Sequence, residues 1–168
     1  DITIHDFGGE ESVLYVDGGI FGFQFFDTYA SMINYFKSRG YEIEHNLFVA
    51  PYDWRMAPVV IDDFSIKMKK LIEKAKEING EKVTLMGYSC GGYTLHRFLT
   101  TKVSEEWKHE YIEKIIFMVP SFGGSMDTFD VLFDQQSPLT PIHNQNMVDL
   151  LQSLPYVHSH LLNEEVYG

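Results

Sequence analysis

The sequence has little of several features that mark common classes of protein. It has a single cysteine, Cys90, so no disulfide can form within the chain and sulfur chemistry does not indicate a redox compartment. No apolar run approaches the roughly 18 residues of a membrane-spanning helix, and the first residues lack the pattern of a signal peptide. The chain also lacks an initial methionine and begins at Asp1, which indicates a processed product or a fragment.

Positive charge is also scarce. Lys and Arg total 13 against 24 Asp and Glu, which gives a formal net charge of -11. Nucleic acids and anionic membranes bind proteins through clustered basic side chains, so this balance argues against both as charge-driven partners. Any peripheral contact with a lipid surface is therefore expected to be apolar. What the sequence does contain is 168 residues with 45% hydrophobic content, enough for one compact domain with a core.

The most informative motif is Gly-Tyr-Ser-Cys-Gly at 87–91, which follows an apolar run and precedes a segment of helical character. This G-x-S-x-G pattern is typical of a nucleophile elbow, a sharp strand-to-helix turn that exposes a serine hydroxyl above a sheet. We predict Ser89 as the nucleophile, with flanking glycines that keep bulk away from the crowded backbone. The backbone amide of Cys90 is the predicted oxyanion donor. An ordinary tight turn is the alternative, since the bare motif arises by chance in roughly one such chain in twenty.

The spacing of hydrophobic residues is typical of a strand in some segments of the chain and of a helix in others. The pattern predicts strands at 2–4, 46–50, 83–86 and 115–119, the last of them buried, and helices at 27–38, 62–78, 93–99 and 104–111. This order favours the α/β class, with a mostly parallel sheet covered by helices on both faces. The second helix carries a run of lysines, which we interpret as a solvated face rather than a basic patch. Beyond Gly124 the pattern loosens, so we divide the chain into a core at 1–125 and a cap or excursion at 126–168.

Two further segments point to a known family. The run F-V-A-P-Y-D-W-R-M-A-P at 48–58 lies before the serine, and I-I-F-M-V-P-S-F-G-G-S at 115–125 lies after it. They resemble the A-P-Y-D-W-R and P-W-G-G-S segments of the lecithin:cholesterol acyltransferase-like lipases, with Ser121 and Phe122 standing where Pro and Trp are usual. The order and spacing of all three segments agree over roughly residues 1–125.

The resemblance implies an α/β-hydrolase-like fold and acyl-ester chemistry on phospholipids or sterol esters, without a cofactor or a bound metal. Ser89 would attack the ester carbonyl, form an acyl-enzyme and pass the acyl group to water or to an alcohol. Tyr88 and Trp54 are candidate substrate contacts, although the segment around Trp54 is more readily explained as structural. The family also suggests secreted, lysosomal or vacuolar surroundings, while the oligomeric state stays open.

The sequence departs from the family at several points. A His-Leu pair usually flanks the serine, where Tyr88 and Cys90 stand here. The resemblance places the catalytic acid and histidine after two later strands that have no counterpart up to Gly168, so the fold is expected to be partial. The second oxyanion amide is expected upstream of Asp1. Phe7-Gly8-Gly9 is the candidate replacement, although 2–9 looks more like the family's next strand and its P-G-F-G turn.

A local substitute for the missing acid and base would have to come from the tail. The candidate acids are Asp127, Asp130, Asp134 and Asp149, and the candidate bases are His143, His158 and His160. Each should sit on a loop at the carboxyl edge of the sheet, but the tail shows no strand that would place it there. The H-x-H pair at 158–160 also resembles a metal-binding pattern, yet no third ligand at a telling spacing accompanies it.

Two hypotheses from other classes remain. A non-catalytic lipid-binding or scaffolding descendant would keep the fold without a working triad. An unrelated doubly wound domain would bind a small anion at the helix after Gly91-Gly92, but it gives the Pro-Tyr-Asp-Trp-Arg segment no role.

Overall fold

The computed structural model describes residues 6–14, 29–56, 62–130, 132 and 145–161. The predicted strand at 2–4, Asp134, His143 and the side chain of Asp127 lie outside the described residues. The chain divides into two compact units, one of Asp1–Asp53 with Asp63–Val83, the other of Trp54–Asp62 with Thr84–Gly168. The second unit contains both the elbow and the tail, and the boundary at residue 125 stays a prediction.

Two helices dominate the first unit. Helix α1 (Ala30–Ser38) buries Ala30 and Ile33, and it ends where Gly40 adopts a φ of 90°. Helix α2 (Asp62–Asn79) confirms the helix predicted at 62–78, and it is followed by Gly80 with a φ of 71°. A positive φ at these positions is the usual reason for glycine after a helix.

The interior of the first unit lies around Phe64 on α2. The rings of Phe7 and Tyr52 pack on it, with centroids 5.9 and 5.6 Å away. Lys67 forms an exposed ion pair with Asp63 one turn away on the same helix. Such pairs contribute only a few tenths of a kcal/mol, about 0.3–0.5. This environment matches a solvated lysine face.

The strand predicted at 46–50 is reduced to two isolated bridges, one of Val49 with Gly8 and one of Leu47 with Ile43. Gly8 and Val49 exchange two backbone hydrogen bonds, of 2.8 and 3.2 Å, in an antiparallel bridge. A turn precedes it, in which the Glu44 amide donates to the Leu47 carbonyl. An apolar run becomes a strand only where a neighbour of matching length pairs with it, and Gly8 offers one residue of pairing in the described part of the chain.

The second unit contains a parallel pair of strands. Strand β1 (Val83–Tyr88) is followed by α3 (Cys90–Thr101), α4 (Glu105–Tyr111) and strand β2 (Ile112–Met118). These elements confirm the strand–helix–helix–strand order predicted for this region. Ser104 begins α4 as its N-cap, since its hydroxyl accepts a hydrogen bond from the Trp107 amide.

The core of the second unit lies along α3. Leu95, Phe98 and Leu99 are buried on it, and the Phe98 ring packs edge-on against Trp107 of α4. The predicted burial of β2 is wrong, because Ile115 is 39% exposed and the residues after it are half-buried. Within the described residues β2 pairs with β1 alone, so its apolar side chains are covered less than those of a central parallel strand.

The described part of the tail is helical. It forms α5 (Met126–Phe129), α6 (Gln145–Ser153) and α7 (Pro155–Ser159). Leu151 of α6 and Val157 of α7 are buried together, with Leu154 and Tyr156 packed around them. Among the described residues no helix has the length and apolar character that would carry it across a bilayer.

Val119, directly after β2, has a strained backbone. Its φ is 46°, which a β-branched residue rarely adopts, and its side chain is 80% exposed. Substitution with glycine removes this strain and gives up little burial, while it adds entropy to the unfolded chain. We expect Val119→Gly to raise the free energy of unfolding by about 1 kcal/mol.

Chemical denaturation of the purified variant measures this change. Val103→Gly is the matched control, because Val103 is half-buried and has a negative φ, so its replacement should destabilise the protein. If both valine variants lose stability equally, the strain at Val119 contributes nothing measurable.

Candidate active site

Ser89 occupies the turn between β1, which ends at Tyr88, and α3, which begins at Cys90. Its φ of 49° and ψ of -123° lie in a region that residues with a side chain rarely enter. The hydroxyl of a serine at the N-cap of a helix usually accepts a hydrogen bond from a backbone amide of the first turn. The hydroxyl of Ser89 makes no such capping bond, which leaves it available at the top of the turn.

Two backbone hydrogen bonds fix the turn. The Ser89 amide donates to the Met118 carbonyl at the end of β2 over 2.9 Å, and the Ser89 carbonyl accepts from the Gly92 amide over 2.9 Å. The first bond ties the elbow to the neighbouring strand, and the second closes the first turn of α3. The position of Ser89 is therefore set by main-chain groups on both sides.

The glycines around Ser89 differ in how much space each position leaves for a side chain. A Cβ at Gly87 would lie 2.8 Å from the Gly92 Cα, and a Cβ at Gly92 would lie 3.0 Å from the Pro120 Cβ. A Cβ at Gly91 would meet nothing within 4 Å. The expectation that both motif glycines relieve crowding is thus correct for Gly87 and wrong for Gly91, because the close contact belongs to Gly92.

Cys90 is the first residue of α3, so its amide is one of four that the helix leaves without an acceptor inside it. Such amides favour negative charge. The position therefore suits an oxyanion donor, which is the role predicted for this amide. The replacement second donor at Gly8 or Gly9 is not available, since the Gly8 amide donates to Val49 and the Gly9 amide to Asp6.

The side chain of Cys90 lies between Ser89 and a residue of the tail. Its Sγ is 3.7 Å from the Ser89 Oγ and is in direct contact with the Tyr156 hydroxyl of α7. Tyr156 has no signal in the sequence that would mark it as part of this site, since nothing in the local pattern indicates a contact across 66 positions. This contact brings the described end of the tail against the elbow.

Tyr156 also connects to Trp54, a predicted substrate contact. The Tyr156 amide donates to the Arg55 carbonyl over 3.2 Å, and its ring packs edge-on against Trp54 with centroids 5.6 Å apart. Trp54 remains 48% exposed. Tyr88, the other predicted contact, is 49% exposed at the end of β1. Both rings therefore keep accessible apolar surface in the second unit.

The segment after β2 also contributes to this unit. The Gly92–Pro120 contact brings the start of this segment against α3. Phe122 packs against Phe117 of β2 and His96 of α3, with centroids 5.1 and 5.2 Å apart. The Ser121 hydroxyl is buried and has no hydrogen-bond partner among the described residues.

His160, a predicted alternative base, is almost fully buried. Its ring packs against that of Tyr156 with centroids 4.3 Å apart and a tilt of 34°, and it meets the Tyr93 ring edge-on at 5.0 Å. Its Nδ1 lies 3.0 Å from the Ser159 Oγ and 3.1 Å from the Tyr156 carbonyl. Within the part of the chain that the structure describes, its Nε2 has no partner.

Among the described residues, the candidate acids and bases of a local triad are not hydrogen-bonded to one another. His158 pairs through Nε2 with the Gln152 carbonyl, and Asp149 accepts from Gln145. Across the described ranges no hydrogen bond links Asp130 or Asp149 to either histidine, and none links a histidine to Ser89. In the same ranges no three side chains of metal-binding type cluster together.

Burial lowers the pKa of His160, and the hydrogen bond to the Tyr156 backbone opposes that shift only in part. In the unfolded chain a histidine has a pKa of about 6.5, so below that pH the unfolded state binds more protons than the folded one. Stability should therefore fall as the pH drops from about 6.5 through the lowered folded value, by at most about 1.4 kcal/mol per pH unit. Above that window the contribution is complete.

Denaturation midpoints measured between pH 7.5 and 5 test this dependence. His160→Gln should flatten the profile in that window. An equal slope in the parent protein and His160→Gln would show that another group carries the dependence.

The family model described as "Lecithin:cholesterol acyltransferase" matches residues 1–164. The chain belongs to the lecithin:cholesterol acyltransferase family. The match extends through the tail, well past residue 125, where the resemblance read from the sequence ended.

Individual members of the lecithin:cholesterol acyltransferase family are distant relatives. The chain is 30% identical over 141 residues to the phosphatidylcholine-sterol acyltransferase of Mus musculus, a match that covers 84% of the chain and 31% of the relative. It is 29% identical over 133 residues to the lysosomal phospholipase A and acyltransferase of Bos taurus, with 74% and 32% covered. The chain thus spans about a third of the length of these curated relatives.

Proposed function

We propose that the protein is a serine-dependent acyl-ester hydrolase or acyltransferase that acts on lipid esters through an acyl-enzyme on Ser89. The observation that carries this proposal is the strained turn at Ser89, whose hydroxyl is left free of capping, in a chain of the lecithin:cholesterol acyltransferase family. Strain of this kind persists where the surroundings impose it, and it concentrates at sites of chemistry. The names of the relatives support phospholipid and sterol esters as the substrate class.

In the proposed reaction the Ser89 Oγ attacks the ester carbonyl carbon and loses its proton to a general base. The carbonyl electron pair moves onto oxygen, where the Cys90 amide donates a hydrogen bond to the developing charge. Collapse of this intermediate breaks the bond to the leaving alcohol, which takes up the proton and departs as a lysolipid or a sterol. Water or another alcohol then attacks the acyl-enzyme by the same steps.

The proposal places the general base and its acid partner in parts of the protein other than the described residues. Their order along the chain is that of the family, with the serine first, then the acid, then the histidine. The proposal also assigns β1 and β2 to an α/β-hydrolase sheet, because an elbow serine belongs between a parallel strand and its following helix. Tyr88 and Trp54 are the proposed contacts for the acyl chain. Their exposed rings offer apolar surface together with a polar group at one end.

A non-catalytic lipid-binding descendant is the second candidate. It is favoured by one observation, that no histidine among the described residues bonds to the Ser89 hydroxyl. Such a protein would bind lipid without releasing products, because a serine without a base is a weak nucleophile.

A product assay with phosphatidylcholine vesicles separates the candidates. The longest natural form that contains these residues is incubated with vesicles that do or do not include cholesterol, and free fatty acid and cholesteryl ester are measured. The Ser89→Ala protein is the blank, and Ser153→Ala, at an exposed position of α6, is the matched control. Product release that only Ser89→Ala abolishes supports the proposal, whereas equal release by Ser89→Ala refutes it. Vesicle binding without product indicates the lipid-binding descendant.

A further inference from the structure

Tyr156 is the residue at which three parts of the second unit meet. Its amide bonds to Arg55, its ring packs on Trp54 and on His160, and its hydroxyl contacts the Cys90 Sγ. Its position is well fixed, because the neighbouring Val157 is buried to 4% exposure and packs with α6. Tyr156 thus projects from an anchored helix onto the residue after Ser89.

The contact falls on the less secured side of the elbow. Main-chain hydrogen bonds to Met118 and Gly92 hold Ser89 itself. The amide of Cys90 has no acceptor within α3 to fix it, and the side chain of Cys90 contacts Ser89 and Tyr156. A strained turn keeps its conformation only when surrounding contacts hold it. The hydroxyl of Tyr156 supplies such a contact at the residue that carries the proposed oxyanion donor.

We propose that Tyr156 is a positioning residue for the nucleophile turn, which holds the Cys90 side chain and thereby orients the Cys90 amide beside Ser89. This inference rests on the proposed function, since the amide matters for rate only if Ser89 forms an acyl-enzyme. It assigns the tail a part in the reaction beyond covering the substrate.

Tyr156→Phe is the informative variant, because it removes the hydroxyl and keeps both ring contacts. Turnover of a soluble ester, p-nitrophenyl butyrate, is measured in the longest natural form of the protein. We expect kcat to fall about tenfold while KM is unchanged, because an interaction that acts in the transition state is lost and substrate binding is not. Tyr35→Phe is the matched control, on an exposed tyrosine of α1.

A double-mutant cycle with Cys90→Ala tests whether the effect acts through Cys90. Both single variants lose the same contact, so the double variant should have the kcat of the slower single variant rather than the product of the two losses. Thermal unfolding of the same four proteins gives a second readout that needs no activity. Tyr156→Phe should lower Tm by about 2–4 °C with Cys90 present and by much less with Cys90→Ala.

The outcomes separate the two proposals. If Tyr156→Phe turns over the ester as fast as the parent protein, the positioning role is overturned and the proposed function of Ser89 is unaffected. Independent effects of the two substitutions on both kcat and Tm also overturn the positioning role. If the parent protein is inactive, the proposed function is refuted. The Tm measurements then test the contact by themselves: coupled effects of the two substitutions support the hold on Cys90, and additive effects refute it.

Discussion

Replacing Ser89 by alanine should lower ester turnover by at least about a thousandfold, since removal of a nucleophile costs several orders of magnitude in comparable hydrolases. The substitution deletes one oxygen and leaves both main-chain bonds of the turn, to Met118 and Gly92, in place. The fold should therefore survive, which circular dichroism and the unfolding midpoint would verify. Loss of activity together with loss of the fold would not support a chemical role for the hydroxyl.

A second substitution at the same position separates the hydroxyl from the strain. Alanine retains a Cβ and so retains the cost of a φ of 49°, whereas glycine removes that cost. Both variants should be inactive, but Ser89→Gly should be more stable than Ser89→Ala by about 1 kcal/mol. Urea denaturation measures the difference. Equal stabilities would mean that the turn is not strained in solution.

Gly87→Ala has the other large expected effect. The added Cβ would lie 2.8 Å from the Gly92 Cα, 3.1 Å from the Gly92 amide nitrogen and 3.1 Å from the Gly91 carbonyl oxygen. All three neighbours are backbone atoms, so the overlap can be relieved only by moving β1 away from the start of α3. We expect the free energy of unfolding to fall by about 1–3 kcal/mol. Turnover should fall about a hundredfold, because the displacement moves the Ser89 hydroxyl out of its reactive position.

Gly91→Ala is the matched control for Gly87→Ala. It adds the same methyl group four residues further on, where nothing lies within 4 Å. As a residue of α3, Gly91 should gain up to about 1 kcal/mol from the better helix propensity of alanine. Stability and turnover measured side by side test the contrast. If Gly91→Ala proved the more damaging change, crowding at the Gly87–Gly92 approach would not explain the motif.

Much of the local structure was predictable, because it depends on neighbours along the chain. Periodicity found α2 within one residue of its observed end, and the cap at Ser104 follows from local hydrogen bonding. The turn at Ser89 was located for the same reason, since an apolar run, a glycine-rich pentapeptide and a helical segment are all read over a few residues.

The errors and omissions share a different cause. The segment at 46–50 has the composition of a strand, but composition does not reveal that its pairing is limited to isolated bridges with Gly8 and Ile43. Of the two glycines at 91–92, only packing shows which one approaches Pro120. The contact between Cys90 and Tyr156 joins residues 66 positions apart. Each of these depends on tertiary placement, which neither local propensity nor periodicity encodes.

The match to residues 1–164 includes the described helices of the tail, and Tyr156 of that tail touches Cys90. A segment first interpreted as a cap or excursion is thus joined to the proposed site by a side-chain contact. This connection is the reason to test the tail by mutation.

The most direct test of Ser89 as nucleophile is covalent labelling with a fluorophosphonate, followed by mass spectrometry of the tryptic peptides. The longest natural form that contains these residues should carry one phosphonyl adduct on Ser89, and the Ser89→Ala protein should carry none. An adduct on a different residue, or ester turnover by a protein whose Ser89 stays unmodified, would contradict the proposed acyl-enzyme.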